Sequence, residues 1–145
     1  MATNAQQIFE MAMDLMDERS ADGMIPAGDT AEYHNRTLSI LNMLRGELYP
    51  YSDTYTAEGE DGRPIATYIK NFTSPVDMDD YICQSIMPYG LAAHLLVDEN
   101  PSVASFFNQR YEELKRELKN GMPTVSEDIV DIYGGISEYN EFGRW

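Results

Sequence analysis

Cysteine, histidine, tryptophan and positive charge are all scarce in this chain of 145 residues. Cys83 is the single cysteine, which excludes an internal disulfide and points to a reducing compartment. Inside a helical pattern it reads as a small apolar filler rather than a reactive thiol. The two histidines, His34 and His94, fall in different helical stretches, and neither has a His-x3-His or Glu-x-x-His spacing. A zinc site made from them and Cys83 would require tertiary structure to bring all three together. No Gly-x-Ser-x-Gly elbow and no glycine-rich phosphate loop is present, so neither hydrolase nor nucleotide chemistry has a foothold.

Ten Lys plus Arg stand against 25 Asp plus Glu, a formal charge of -15. A surface of that sign repels phosphate backbones and anionic headgroups, which disfavours nucleic-acid and membrane-surface binding and suits a partner with a basic face. Nor does any apolar run approach the ~20 residues that a membrane-spanning helix needs. The first five residues lack the basic and apolar character of a signal peptide, so the expected location is the cytoplasm of the producing cell. Two expected absences, of catalytic residues and of a cofactor, complete this side of the reading.

Apolar residues make up 43% of the chain, with ten Tyr, five Phe and nine Met, enough for one ordered core. The spacing predicts a mainly α fold, a bundle of about four helices. Between helices 2 and 3 it predicts a short β-hairpin or irregular excursion, and after the last helix an extended tail. The helical domain covers 1–121, with the excursion at about 50–76, and the tail or docking arm covers 122–145.

The first helix follows Thr3 or Asn4, places Ile8, Met11, Ala12, Leu15 and Met16 on one face, and is expected to end near Gly23. Asp29 or Thr30 caps a second, whose stripe is Tyr33, Thr37, Ile40, Leu41, Leu44 and Leu48, with His34, Asn35 and Arg45 away from it, and which stops before Pro50. A third begins near Asp77 and runs to Asp98 through Tyr81, Ile82, Ile86, Tyr89, Ala93 and Leu96. Pro88 kinks or restarts it, and Leu91, Leu95, Leu96 and Val97 make it apolar on several sides, as a central helix requires. Pro101 opens the fourth, striped by Val103, Phe107, Tyr111, Leu114 and Leu118, widened by Phe106 and ended by Gly121 and Pro123. The short link makes helices three and four an antiparallel pair.

The acids occur in adjacent pairs such as Asp79-Asp80 and Glu112-Glu113, which read as solvated faces and helix starts rather than acid-base machinery. Positions 58–62 resemble a calcium loop only faintly, without the alternating ligands. Arg110, Lys115, Arg116 and Lys119 cluster but interleave with Glu112, Glu113 and Glu117, the pattern of intrahelical pairing. The remaining signal is aromatic. Tyr51, Tyr55 and Tyr68 crowd the excursion, and Tyr133, Ile136, Tyr139, Phe142 and Trp145 crowd the tail. Large aromatic side chains favour interfaces, so these seven aromatics, together with Ile136 among them, are the eight candidate interface residues, with packing inside one fold as the equal alternative.

The stretch Met87-Pro88-Tyr89-Gly90-Leu91-Ala92-Ala93-His94-Leu95-Leu96-Val97-Asp98-Glu99-Asn100-Pro101, followed by Ser105-Phe106-Phe107-Asn108-Gln109-Arg110-Tyr111-Glu112-Glu113-Leu114, resembles a helix pair in the head-tail connector proteins of tailed bacteriophages and prophages. The order of parts is similar too, although the recognisable residues cover only about 76–135, and the aromatic tail to Trp145 does not match the family pattern. The resemblance implies a non-enzymatic ring subunit between portal and tail, made in the host bacterial cytoplasm and carried in the virion. Its partners would be copies of itself, portal and tail or stopper proteins, with no sequence-specific nucleic acid and no membrane. The isolated chain could remain monomeric, and an acidic lumen would let DNA slide without adhering. From composition alone the competing reading is an acidic regulatory protein, an inhibitor or DNA mimic, seated in a basic groove of its target.

Overall fold

The computed structural model describes residues 2–52 and 67–121. In chain order these form α1 (Ala5–Leu15), α2 (Ala31–Leu48), a 3-10 turn (Tyr49–Tyr51), α3 (Asp80–Ser85), α4 (Met87–Leu96) and α5 (Pro101–Asn120). The architecture is mainly helical, and the four helical regions read from the spacing are present, the third broken into α3 and α4. Among the described residues there is no strand; one isolated antiparallel bridge joins Asn4 to Pro75. The expected hairpin turn, the faint calcium-loop positions and the C-terminal tail lie outside the described residues.

Each helix end has a local cause. Asn4 caps α1 with a reciprocal box: its side chain accepts from the Gln7 amide, and the Gln7 side chain accepts from the Asn4 amide. The other end differs from expectation, since α1 stops at Leu15 and not near Gly23. Asp17 takes a left-handed conformation (φ 58°), and the amides of Asp17 and Glu18 turn back to the carbonyls of Asp14 and Met13. This is the double hydrogen bond of a Schellman stop, built here on Asp instead of Gly. At the start of α2 the Thr30 hydroxyl donates backwards to the Pro26 carbonyl, so it does not cap the helix that follows.

The α2 stripe is buried as expected, from Tyr33 through Leu48, with one addition. Arg45, expected on the wet face, is 2% exposed. Spacing explains it: Arg45 lies four residues after Leu41 and three before Leu48, on the same face. Pro88 sits at the second position of α4, where its missing N–H costs no helical bond, so the chain turns at Ile86 and restarts. α4 is the central helix, and Met87, Pro88, Gly90, Leu91, Ala92, Ala93, Leu95 and Leu96 are all buried.

α5, about 30 Å long for its 20 residues, runs antiparallel to α4. Gly90 faces Tyr111, while Ala93 and Val97 line a cavity with Ala104 and Pro101. A Cβ at Gly90 would lie 2.9 and 3.0 Å from two Tyr111 ring carbons and 3.1 Å from Leu44 Cδ1, so glycine is what allows α2, α4 and α5 to meet here. Three side chains expected in the apolar faces are instead largely exposed: Tyr81 (57%), Val97 (53%) and Phe106 (63%). Tyr81 is the second residue of the short α3, just ahead of the buried Ile82 and Cys83. Val97 caps α4 where the chain turns away, and Phe106 lies one residue beyond the Phe107–Tyr111–Leu114 face.

Candidate functional site

Three polar locks hold the bundle and fix what its surface presents. At the N-terminal end, the amide and hydroxyl of buried Thr3 both donate to Asp80 Oδ1, at 3.0 and 2.7 Å, and Gln84 Nε2 donates to the same hydroxyl. The Thr3 hydroxyl holds the Asp80 carboxyl below its ordinary range. The strap continues with Val76 N–H to the Thr3 carbonyl and Gln6 N–H to the Phe72 carbonyl, so residues 72–76 lie along the start of α1. Phe72 stacks on His34 at 3.9 Å, with Phe9 edge-on to both.

The second lock ties α2 to residues 67–77. Asn42 receives the Ile69 amide at 2.7 Å and returns its own NH₂ to the Ile69 carbonyl at 3.0 Å. Arg45 Nη1 donates to the Thr67 carbonyl at 2.7 Å, its guanidinium lies 5.0 Å from the Tyr49 ring centre, and Asp77 Oδ2 is 3.8 Å from Nη2. Among the described residues its Nε has no hydrogen-bond partner. Burial lowers the Arg45 pKa from its ordinary value, and the Asp77 charge opposes that. The guanidinium thus staples the chain leaving the 67–77 segment to the 3-10 turn, at the expense of one unsatisfied donor.

The third lock joins α2 to α4 and α5. Tyr33 donates to Glu99, Arg36 donates to the Leu95 carbonyl at 3.2 Å, and Tyr111 donates to Glu47 at 2.7 Å. Burial, reinforced by Glu99, pushes the Tyr33 hydroxyl up to about 12, and burial with Glu47 raises Tyr111 as well.

Of the eight candidate interface residues, Tyr51 and Tyr68 belong to the described residues, whereas Tyr55, Tyr133, Ile136, Tyr139, Phe142 and Trp145 lie outside them. Tyr68 is 61% exposed, held outward because its neighbours Thr67 and Ile69 are both fastened to α2. Tyr51 is half-buried at the end of the 3-10 turn and faces the last turns of α5. There it lines a groove of about 470 Å³ with Glu47, Glu112, Lys115, Arg116 and Lys119.

The basic cluster read as intrahelical pairing is only partly so. Lys115 reaches Glu112 at 3.2 Å and Glu47 at 3.6 Å, and Arg110 reaches Glu113 at 3.4 Å, whereas Arg116 and Lys119 pair with no carboxylate among the described residues. A second groove, of about 470 Å³, lies between α1, the α3–α4 break and α5. Met11, Leu15, Tyr81, Pro88, Tyr89 and Leu114 line it, with Arg110 and Asp14 at its edge. Sequence reasoning missed this groove, although Tyr81 one residue after the first α3 position was a visible sign.

The described residues hold no group of three or more His, Cys, Asp or Glu placed to bind a metal. His34, Cys83 and His94 do not converge: His34 stacks on Phe72, Cys83 is buried beneath Met78, and His94 is exposed on α4. Burial, with Asp80 and Asp79 adding to it, pushes the Cys83 thiol up to about 12. No helix of the described residues is long and apolar enough to cross a membrane. What the arrangement offers beside α5 is two grooves, one of mixed apolar and polar lining and one carrying Lys115, Arg116 and Lys119. Compared with models of known protein families, with curated proteins and with solved structures, the chain finds no match in any of the three.

Proposed function

We propose that this chain is a non-enzymatic structural subunit of the head-tail connector of a tailed phage or prophage, forming a ring between portal and tail through which DNA passes. One observation carries the reading. The stretch that resembles the connector proteins is spent on packing: Gly90 meets the Tyr111 and Leu44 side chains where α2, α4 and α5 come together, and Leu91, Ala92, Leu95, Phe107 and Leu114 are buried in the same core. A helix pair of that kind serves as a rigid spine, and the exposed Tyr68 and the grooves beside α5 remain for neighbours. The charge of -15 suits a lumen that DNA traverses without sticking.

On this reading the partners are copies of the same chain, portal protein, and tail or stopper protein, met first in the bacterial cytoplasm and then in the virion. The isolated chain is expected to be monomeric, because ring contacts form only on the portal. Light scattering coupled to gel filtration, over a range of concentrations and with the portal protein of the same genome added, tests the proposal. A ring-sized species or a stable portal complex is the expected result. A chain that stays monomeric and passes the portal without binding would overturn it.

A further inference from the structure

We infer that the cationic groove beside the end of α5 is an intramolecular docking site for the acidic segment 127–133 of the same chain. The inference stands independently of the connector reading. It starts from how unevenly positive charge is placed. Four of the ten basic residues, Arg110, Lys115, Arg116 and Lys119, lie on the last three turns of α5, and the last three of these share one groove with Tyr51. Lys115 is already engaged by Glu112 and Glu47, but Arg116 and Lys119 are left without a carboxylate among the described residues. Elsewhere the chain is overwhelmingly negative, so an acidic segment is repelled from nearly every other face and attracted to this one.

The occupant is identified by charge and by connection. After Gly121 the sequence carries Glu127, Asp128 and Asp131 interleaved with Ile129, Val130, Ile132 and Tyr133. Its carboxylates match Arg116 and Lys119. Its apolar residues match the Tyr51 ring and the methylene stems of the lysines, which present apolar surface while their ammonium groups stay wet. The groove spans Glu112 to Lys119, about 10 Å of helix ending just before the chain leaves α5. Glu127 follows only six residues after Gly121, a reach of up to ~20 Å if extended. A ligand tethered so closely has an effective concentration in the millimolar range, which favours the chain's own segment over any second copy at ordinary protein concentration.

The test is hydrogen-deuterium exchange of the full chain, read by mass spectrometry over peptides in 122–145. It compares wild type with R116E/K119E, with E127K/D128K, and with all four changes combined. All four positions are charged side chains, Arg116 and Lys119 exposed on α5, and circular dichroism checks that the helices persist. Docking predicts exchange slowed ~10-fold across 127–133 at low salt, lost at ~0.5 M salt, lost in either charge reversal and regained when the two reversals are combined. Unprotected exchange in the wild type would overturn the inference, as would protection that survives R116E/K119E. Protection that grows with protein concentration would assign the groove to a second copy and likewise overturn intramolecular docking.

Discussion

Replacing Gly90 with alanine sets two known effects against each other at one atom. In a solvent-exposed helix interior the change is favourable by about 1 kcal/mol, because alanine loses less backbone freedom. Here the new methyl would sit 2.9 and 3.0 Å from the Tyr111 ring and 3.1 Å from Leu44 Cδ1. Relief by rotation is blocked, since the Tyr111 side chain is 3% exposed, its hydroxyl is bonded to Glu47, and Leu44 is 1% exposed. Overpacking of this kind costs about 1–3 kcal/mol, and three simultaneous short contacts place it toward the upper end.

The expected net loss is therefore about 1–2 kcal/mol. With urea m-values of about 1–3 kcal/mol/M, that lowers the unfolding midpoint by roughly 0.3–2 M at unchanged slope. The assay is urea unfolding followed by circular dichroism, on Gly90→Ala alone and in a Tyr111→Ala background. Without the ring the clash is largely gone and the helix-propensity gain should surface, making the second methyl neutral or stabilising. Gly90→Ala that raises stability on its own, or that costs as much in the Tyr111→Ala background as in wild type, would refute the close-approach argument.

Asp17→Gly should stabilise the protein by about 0.5–1 kcal/mol, because the left-handed C-terminal position of α1 (φ 58°) strains any residue with a Cβ; a thermal melt shifted upward by a few degrees is expected, and an unchanged or lower one contradicts the Schellman assignment. Asp80→Asn should destabilise at neutral pH, since the Thr3 hydroxyl depresses the Asp80 pKa below 3.8. The sign follows from linkage: a depressed carboxyl stabilises above its ordinary pKa and loses that contribution as the pH falls through the lower folded value. Wild type and variant should therefore converge under acid, and a gap that stays constant down to about pH 2 goes against the Thr3–Asp80 lock. Cys83, fully buried with its thiol pushed up to about 12, should react with a thiol reagent at neutral pH at least ~10³-fold more slowly in the native protein than in denaturant; rapid native labelling would place it at the surface.

The parts of the fold legible in the sequence are those fixed by spacing. The α2 stripe, the break at Pro88, the start at Pro101 and the apolar surround of α4 all follow from where apolar residues and prolines fall along a 3.6-residue period. What escaped was fixed by chemistry between distant positions or by residue type overriding position. Arg45 occupies a core register, yet its charge argued for the surface; the Thr67 carbonyl, the Tyr49 ring and Asp77 make its burial tolerable. The stop at Asp17 was hidden because aspartate is a poor sign of a left-handed cap compared with Gly23, which follows later. Of the site, the clustering of Lys115, Arg116 and Lys119 was visible, but pairing on their own helix accounts only for Lys115; Tyr51 from another element completes the groove.

Thr3 is separated from Asp80 by 77 residues and from Gln84 by 81, and this separation also imposes an order in time. At a synthesis rate of about 5–20 residues per second, roughly 4–16 seconds pass between the making of the first lock partner and the last. Throughout that interval the face of α1 formed by Ile8, Phe9, Ala12 and Met13 has no α4 to cover it. Of the described helices, α1 is thus translated ahead of the others and is among the last to be secured. A carrier fused ahead of Thr3 would act on the molecule chiefly during this interval, by shielding or tethering an apolar helix that is still waiting for its partner.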